Sequence, residues 1–157
     1  LAVRSNLVMR GYYKDEGATR KAIRDGWFYT GDVAVVDQEG SILIVDRSKD
    51  IIISGGENIS SQEVEAALYL HPAVYECAVI GVPHEKWGET PRAIIVLKPG
   101  AHATEQELIA HCRAYLGHYK CPTGIDFLDE LPKSGTGKIL KRELREPHWA
   151  GRERRVQ

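Results

Sequence analysis

From Ile51 onward, short runs of β-branched residues alternate with two capped helical segments, and this order restricts the fold more than any other feature. Strands and helices that alternate with short connections predict a mixed α+β domain of roughly 100 residues. The predicted strands are Ile51–Ile53, Val74–Val82, Arg92–Leu97 and Ile125–Leu128.

Two capping boxes mark where the predicted helices begin. Ser60 is followed three residues later by Glu63, and Thr104 is followed in the same way by Glu107. A hydroxyl at the first position and a carboxylate three residues on satisfy the free amides of a helix N-terminus. A short basic helix is predicted at Leu140–Arg145.

The first part of the chain has a different pattern. Helix-forming residues lie around Thr19–Arg24, and two β-branched runs, Val33–Val36 and Ser41–Val45, flank a short turn that contains Gly40. Such runs across a glycine-containing turn predict a β-hairpin. We therefore expect a boundary after the hairpin, which divides the chain into residues 1–45 and 46–157.

Composition excludes several classes of protein. No run of about 18 apolar residues is present, so the sequence predicts no transmembrane segment. The three cysteines are odd in number and form no close pair, which indicates buried thiols in a reducing, cytoplasmic setting and no disulfide framework. The histidines show no metal-ligand spacing, so no metal site is predicted. The chain begins with Leu1, and we expect it to belong to a longer protein.

The near-neutral net charge conceals a basic tail. Lys133–Gln157 contains eight basic and three acidic residues, whereas the formal net charge of the chain is −1. A basic tail binds phosphates or nucleic acid, or it is simply a solvated face. Composition alone leaves these alternatives open.

The segment Lys133–Lys138, with the sequence KSGTGK, is the strongest single motif. Its small residues allow backbone amides and a lysine to approach an anion closely. It is not a P-loop, because Pro132 and Ile139 occupy positions where that motif needs glycine and a hydroxyl residue. It predicts either a mobile lysine that reaches a phosphate or carboxylate, or a surface loop without function.

Three other segments have both a functional and a structural interpretation. Asp32 follows a turn and could accept hydrogen bonds from a ribose diol, or it could stabilise the turn. The charged segment Asp46–Asp50 suits either a hinge or surface ion pairs. Trp87 could stack on a base or pack against the core, and the sequence slightly favours the core.

These segments occur together in one order along the chain. Taken together, five segments resemble the C-terminal part of the acyl-adenylate-forming superfamily. They are Tyr29–Asp32, Asp46–Asp50, Ser54–Ile59, Glu63–Glu65 and Lys133–Lys138. This superfamily comprises acyl-CoA synthetases, peptide-synthetase adenylation domains and luciferases. The amino-acid sequence of Ser54–Ile59 is most similar to that of fatty-acyl, medium-chain and aryl-CoA ligases.

The resemblance implies a two-step reaction. ATP adenylates a carboxylic acid with release of pyrophosphate, and the thiol of CoA then displaces AMP. The implied cofactors are ATP, CoA and Mg²⁺, with Mg²⁺ bound by a large N-terminal domain. Residues 1–45 resemble the end of that domain, and residues 46–157 resemble its mobile lid. The other implied partners are that domain and the acid, with no nucleic acid; the chain alone is expected to be inactive.

Site residues follow from the same resemblance. Asp32 matches the acid that holds the AMP ribose, and Arg47 matches a residue that contacts the same nucleotide. Lys49 falls at the hinge about which the lid swings. Lys138 matches the lysine that bridges the substrate carboxylate and the α-phosphate during adenylation.

A second set of matched residues concerns CoA. Gly55 and Gly56 match glycines that line the pantetheine tunnel, while Trp87 and Tyr119 resemble aromatic positions near the CoA nucleotide. Lys120 would suit the CoA phosphates. Two alternatives stay open: an amino-acid adenylation domain of a peptide synthetase, and a non-enzymatic module that binds phosphate or nucleic acid.

Overall fold

The computed structural model describes residues 1–152, which form two compact units divided between Ser48 and Lys49. The boundary predicted from the sequence lies three residues earlier, between residues 45 and 46. The last five residues of the basic tail lie outside the described part of the chain.

The first unit contains one short helix and two small sheets. Strands β1, β3 and β2 form one sheet in that order, and β4 pairs with β5 in an antiparallel hairpin, as predicted. The elements are β1 (Ala2–Val3), α1 (Glu16–Ala22), β2 (Ile23–Arg24), β3 (Trp27–Tyr29), β4 (Asp32–Val36) and β5 (Ile42–Arg47).

The β4–β5 hairpin exposes much of its apolar surface. Val36 is 66% exposed and Leu43 is 65% exposed, and the neighbouring Val35 and Ile42 are more than half exposed. Successive side chains of a strand point to opposite faces, so both faces of the hairpin are uncovered. Two-stranded hairpins are marginally stable in water on their own.

The second unit is built around β9, which pairs with β8 in antiparallel and with β10 in parallel orientation. A small β6–β7 hairpin joins the start of β9 through the Ser54–Gly88 pair. The elements are β6 (Ile52–Ser54), β7 (Glu57–Ile59), α2 (Ser61–Tyr69), β8 (Val74–His84), β9 (Gly88–Leu97), α3 (Glu105–Tyr115), β10 (Gly124–Phe127) and α4 (Lys141–Arg145), with 3-10 turns at His118–Lys120 and Glu146–Trp149. The architecture is the predicted α+β class.

The helices α2 and α3 begin directly after the capping residues predicted from the sequence, Ser60 and Thr104. Thr104 and Glu107 form the predicted reciprocal capping box at the start of α3. Ser60 accepts a hydrogen bond from the amide of Glu63 at the start of α2. The carboxylate of Glu63 also accepts hydrogen bonds from the ammonium of Lys120.

Two strand predictions need correction. The predicted strands Val74–Val82 and Arg92–Leu97 leave residues 83–91 between them, but β8 runs to His84 and β9 starts at Gly88, so the connection is a tight turn. Pro83 obscured this continuation, although β8 lies at an edge of the described sheet, where proline is tolerated. The strand β7, which local sequence patterns do not predict, completes a hairpin around Gly55 and Gly56.

The sheet is covered on both faces. Along β8, Val79 packs into the cluster that α2 and α3 contribute to through Leu68 and Leu108. Its neighbour Ile80 packs on the other side, where Leu131 is buried and Leu144 of α4 lies against the cluster. The segment that follows β10 is therefore an integral layer of the second unit.

The cysteines have the buried positions expected from their number and spacing. Cys77, Cys112 and Cys121 are free and buried. Burial raises the pKa of Cys77 to about 12 and that of Cys112 to about 11. These thiols are protonated at neutral pH and are not nucleophiles.

Within residues 1–152, every helix is too short or too polar to cross a lipid bilayer.

The buried face of α3 provides a stability test. Leu108 is completely buried, so Leu108→Ala should lower the free energy of unfolding by about 2–5 kcal/mol through lost contacts and a cavity. Leu70→Ala is the matched control, because Leu70 is 59% exposed and should change stability by less than about 0.5 kcal/mol. Urea unfolding of both variants measures the difference; equal losses would contradict the assigned core.

Candidate functional site

The predicted glycine-flanked lysine lies on a tight turn. The amide of Ser134 donates to the carbonyl of Lys138 at 2.8 Å, and the amide of Gly137 donates to the carbonyl of Ser134 at 2.8 Å. The Ser134 hydroxyl accepts from the amide of Lys138 at 3.2 Å, and Lys133 and Ile139 form a β-bridge across the base. Gly137 has φ +80°, which glycine adopts without strain. This turn is thus closed by its own hydrogen bonds.

The two lysines of the turn differ in their partners. The ammonium of Lys133 donates to the carboxylate of Glu76. The side chain of Lys138 is exposed, and its ammonium forms no hydrogen bond or ion pair with any residue in the described range 1–152. Lys138 is therefore a charged group held on an ordered turn and directed to solvent.

Most of the described basic tail is neutralised by partners. Of the six lysines and arginines between residues 133 and 152, four form ion pairs with carboxylates. The pairs are Lys133–Glu76, Lys141–Glu65, Arg142–Glu146 and Arg145–Asp50. The local positive charge is mainly a set of structural contacts.

The first unit brings Asp32 and Arg47 together. They are paired in register across β4 and β5, and Arg47 Nε lies 3.2 Å from Asp32 Oδ1. Arg47 also donates to the carbonyl of Thr30 at 3.0 Å, and the amide of Ser48 donates to the carbonyl of Gly31 at 2.8 Å. The turn before Asp32 and the end of β5 are thereby fixed to each other.

Lys49 is the first residue of the second unit. Its carbonyl accepts a hydrogen bond from Arg145 at 2.9 Å, and the same guanidinium pairs with Asp50 at 2.8 Å. Arg145 and Asp50 are 14% and 11% exposed. The predicted hinge position is thus held to α4 through its backbone.

Gly55, Gly56 and Trp87 meet at one place in the second unit. The amide of Gly55 donates to the carbonyl of Trp87 at 2.9 Å, and a Cβ at Gly55 would lie only 2.7 Å from Trp87 Cε3. Trp87 and Gly56 line a cleft of about 520 Å³, together with Trp149 and Arg152. Glycine at position 55 is required by this close approach as well as by its φ of +60°.

The interpretation of Trp87 as a core residue is wrong. Its side chain is 45% exposed and stacks against His84, with ring centroids 6.5 Å apart. The ammonium of Lys86 lies 4.4 Å from the centre of the Trp87 ring. The indole is therefore a wall of the open cleft, with one cation beside it.

Tyr119 stands apart from this cleft. It lies in the 3-10 turn His118–Lys120 and is 52% exposed, and it is not among the residues that line the cleft. The ammonium of Lys120 is 2.6 Å and 2.8 Å from the two carboxylate oxygens of Glu63. This hydrogen-bonded pair raises the pKa of Lys120. The Lys120 ammonium, which we expected to contact the CoA phosphates, is therefore already bound to Glu63.

Three further residues at these sites were not found from the sequence. Trp149 lines the cleft and donates from its indole to the carbonyl of Gly81 at 2.9 Å. Glu65 and Lys141 form a shielded ion pair with a distance of 2.7 Å, although they are far apart in the sequence. The only sequence signals were an aromatic residue and two charges in amphipathic segments, which do not identify a partner.

Residues 1–152 contain no group of three or more His, Cys, Asp or Glu side chains suited to a metal ion.

Residues 63–138 match the family described as the AMP-binding enzyme C-terminal domain. Two curated relatives illustrate the similarity. A probable acyl-activating enzyme 22 from Arabidopsis thaliana is 53% identical over 92% of this chain, and a peroxisomal trans-cinnamate:CoA ligase from Petunia hybrida is 49% identical over 93%. The chain spans only 29% and 26% of the lengths of these two proteins.

A solved structure gives the same result. The o-succinylbenzoate CoA synthetase from Bacillus subtilis, in complex with its acyl-adenylate intermediate, superposes with a TM-score of 0.85 and 40% identity. The match covers 91% of this chain and 29% of that one. Residues 63–138 therefore belong to the AMP-binding enzyme C-terminal domain family, and the chain as a whole is similar to the C-terminal part of acyl-activating enzymes and CoA ligases.

Proposed function

We propose that this chain is the C-terminal part of an ATP-dependent acid–CoA ligase, which forms an acyl-adenylate and transfers the acyl group to CoA. The observation that carries the proposal is the exposed ammonium of Lys138 on a turn closed by hydrogen bonds. The acid that we propose is of the fatty or aromatic class, as in the relatives that are named as cinnamate and butyrate CoA ligases.

Lys138 has the properties that adenylation requires. The attack of a carboxylate on the α-phosphate brings two anions together, and a cation between them stabilises the charge that develops. An ammonium already engaged with a carboxylate of its own chain would first have to break that pair. In the described range, Lys138 has no such pair, unlike Lys133, Lys141 and Arg145.

Asp32 and Arg47 are the proposed nucleotide contacts. An aspartate can accept two hydrogen bonds from a ribose diol. The 3.2 Å contact with Arg47 orients the Asp32 carboxylate. Lys49 is proposed as the hinge residue between the two half-reactions.

The cleft beside Gly56 and Trp87 is the proposed place for CoA. The exposed face of the indole offers a stacking surface, and glycines leave room for a narrow pantetheine arm. Lys86 and Arg152 supply positive charge at this cleft. Tyr119 is retained as a proposed contact near the CoA nucleotide. ATP, CoA and Mg²⁺ are the proposed cofactors, and Mg²⁺ is assigned to a large N-terminal domain, as the family resemblance implies.

The exposed β4–β5 hairpin supports a large domain as partner. Its apolar side chains are uncovered on both faces, which is unfavourable for a hairpin that stands alone. Relatives about three times as long as this chain have the additional length that such a domain needs. We propose that residues 1–45 belong to this domain and that residues 46–157 form its lid.

The two alternatives have weaker support. A peptide-synthetase adenylation domain would transfer to a carrier protein, whereas the similar proteins named above are CoA ligases and acyl-activating enzymes. A nucleic-acid module would need free basic residues, but most of those in the described tail are paired. A cytoplasmic location and a role in fatty acid metabolism remain proposals, since some relatives are named as peroxisomal.

Replacement of the proposed catalytic lysine gives the first functional prediction. In the longer protein that contains this chain, Lys138→Ala should slow acyl-AMP formation by about 10- to 100-fold, because a charged hydrogen bond worth on the order of 1.5–3 kcal/mol is lost. Pyrophosphate release measures this step. Lys133→Ala removes the same charge from the same turn and should leave the rate nearly unchanged; unaltered acyl-AMP formation in Lys138→Ala would refute the assignment.

The chain by itself should be unable to activate an acid. The acid pocket and the Mg²⁺ ligands are assigned to the large domain, so the 157-residue chain should give no ATP–pyrophosphate exchange above a blank with fatty or aromatic acids. ATP–pyrophosphate exchange that depends on both the chain and an acid would contradict the assignment of the acid pocket and the Mg²⁺ ligands to the large domain.

The proposed path of the pantetheine arm of CoA through the cleft can be tested at Gly56. A Cβ at Gly56 meets no atom within 4 Å, so the bulk of Gly56→Leu enters the cleft. In the longer protein, we expect at least a roughly tenfold loss of thioester formation from supplied acyl-AMP, with acyl-AMP formation retained, because a side chain narrows the path of the thiol. Gly100→Leu is the control, since Gly100 has the same open surroundings and a positive φ of +75°. Equal effects of both variants would contradict the assignment.

A further inference from the structure

The helix α4 begins three residues after Lys138, but its sequence cannot fix its own position. It comprises only the five residues Lys141–Arg145, which is far below the length at which an isolated helix is stable in water. Its place in the fold must therefore come from contacts that its side chains make with other elements.

Lys141 makes such contacts at the first residue of α4. Its Nζ lies 2.7 Å from Glu65 Oε1 and 2.7 Å from Ser61 Oγ, both on α2. Glu65 Oε1 also accepts a hydrogen bond from the amide of Val79 on β8 at 2.7 Å. The Lys141 ammonium thereby joins α4 to α2, and the Glu65 carboxylate extends this link to β8 at the edge of the sheet.

These contacts are shielded from solvent. The side chains of Lys141 and Glu65 are 17% and 15% exposed. Arg142, the next residue on the same helix, is 86% exposed and pairs with Glu146 one turn later. At the other end of α4, Arg145 holds the carbonyl of Lys49 and the carboxylate of Asp50.

The backbone transmits the position of α4 to Lys138. The amide of Leu140 donates to the carbonyl of Pro132 at 2.8 Å, next to the base of the turn that carries Lys138. Three residues span at most about 11 Å when fully extended, so the turn cannot lie farther than this from the start of α4. A displacement of about 1 Å at a reacting group can reduce a rate by about 100-fold.

We propose that Lys141 is a positioning residue for Lys138. Its pairing with Glu65 and Ser61 fixes α4 and thereby the turn from which Lys138 reaches the reacting acid and α-phosphate. This inference rests on the proposed function. Replacing a buried ion pair with uncharged groups is often neutral for stability, so the pair is explained better by the geometry it imposes than by the stability it adds.

The test uses the longer protein with three variants. Lys141→Met removes the tether and leaves the Glu65 carboxylate without its cation. The double variant Glu65→Gln/Lys141→Met removes the tether as well, but the glutamine oxygen can still accept from Val79 and no unpaired charge remains. Arg142→Gln is the control on the same helix. Acyl-AMP formation, thioester formation from supplied acyl-AMP, and Tm are measured for each.

We expect Lys141→Met to lower Tm and to slow acyl-AMP formation by roughly 10- to 100-fold. The double variant should recover Tm while acyl-AMP formation stays slow. Thioester formation from supplied acyl-AMP should stay within about twofold in the double variant, since Lys138 acts in the first step only. Arg142→Gln should behave as the unsubstituted protein.

Two results would overturn the inference. One is recovery of acyl-AMP formation together with Tm in the double variant, which would give Lys141 a purely structural role. The other is an equal loss of both half-reactions in that variant. Failure of the proposed function is distinguishable, because the unsubstituted protein itself would then form no acyl-AMP from fatty or aromatic acids.

Discussion

The pairing of β8 with β9 is the interaction on which the second unit depends. It runs from the Val74–Leu97 pair to the His84–Gly88 pair, and it turns alternate residues such as Val79 and Ile80 to opposite faces. One face binds α2 and α3, and the other binds the segment that leads into α4. The same ladder ends in the turn that places Trp87 beside the β6–β7 hairpin. The core of the second unit and the cleft beside Trp87 thus share one scaffold.

Local patterns in the sequence were sufficient for the elements and insufficient for their partners. The Thr104 capping box and the β4–β5 hairpin were predicted because their signals lie within a few residues of each other. The exposure of Trp87 depends on a hairpin more than 25 residues earlier, which local spacing does not contain. The Lys141–Glu65 pair joins distant segments, so only the folded chain brings the two charges together.

Charge balance illustrates why composition is a weak guide to function. The tail that begins at Lys133 is basic in sequence, yet most of its described cations are paired with carboxylates from other elements. Two of these pairs, Lys141–Glu65 and Arg145–Asp50, join α4 to other elements of the second unit. Lys138 differs from them because it has no such carboxylate within residues 1–152. The informative property is the partner of each charge, and the sum of charges does not reveal it.

The junction between the two units is defined by hydrogen bonds on both sides. The amide of Ser48 is bound to Gly31 within the first unit, whereas the carbonyl of Lys49 is bound to Arg145 within the second. Because Arg145 belongs to α4, the first residues of the second unit and the helix that follows the Lys138 turn are held together within that unit. In the proposed function, this brace keeps the turn that presents Lys138 in a fixed place on the second unit.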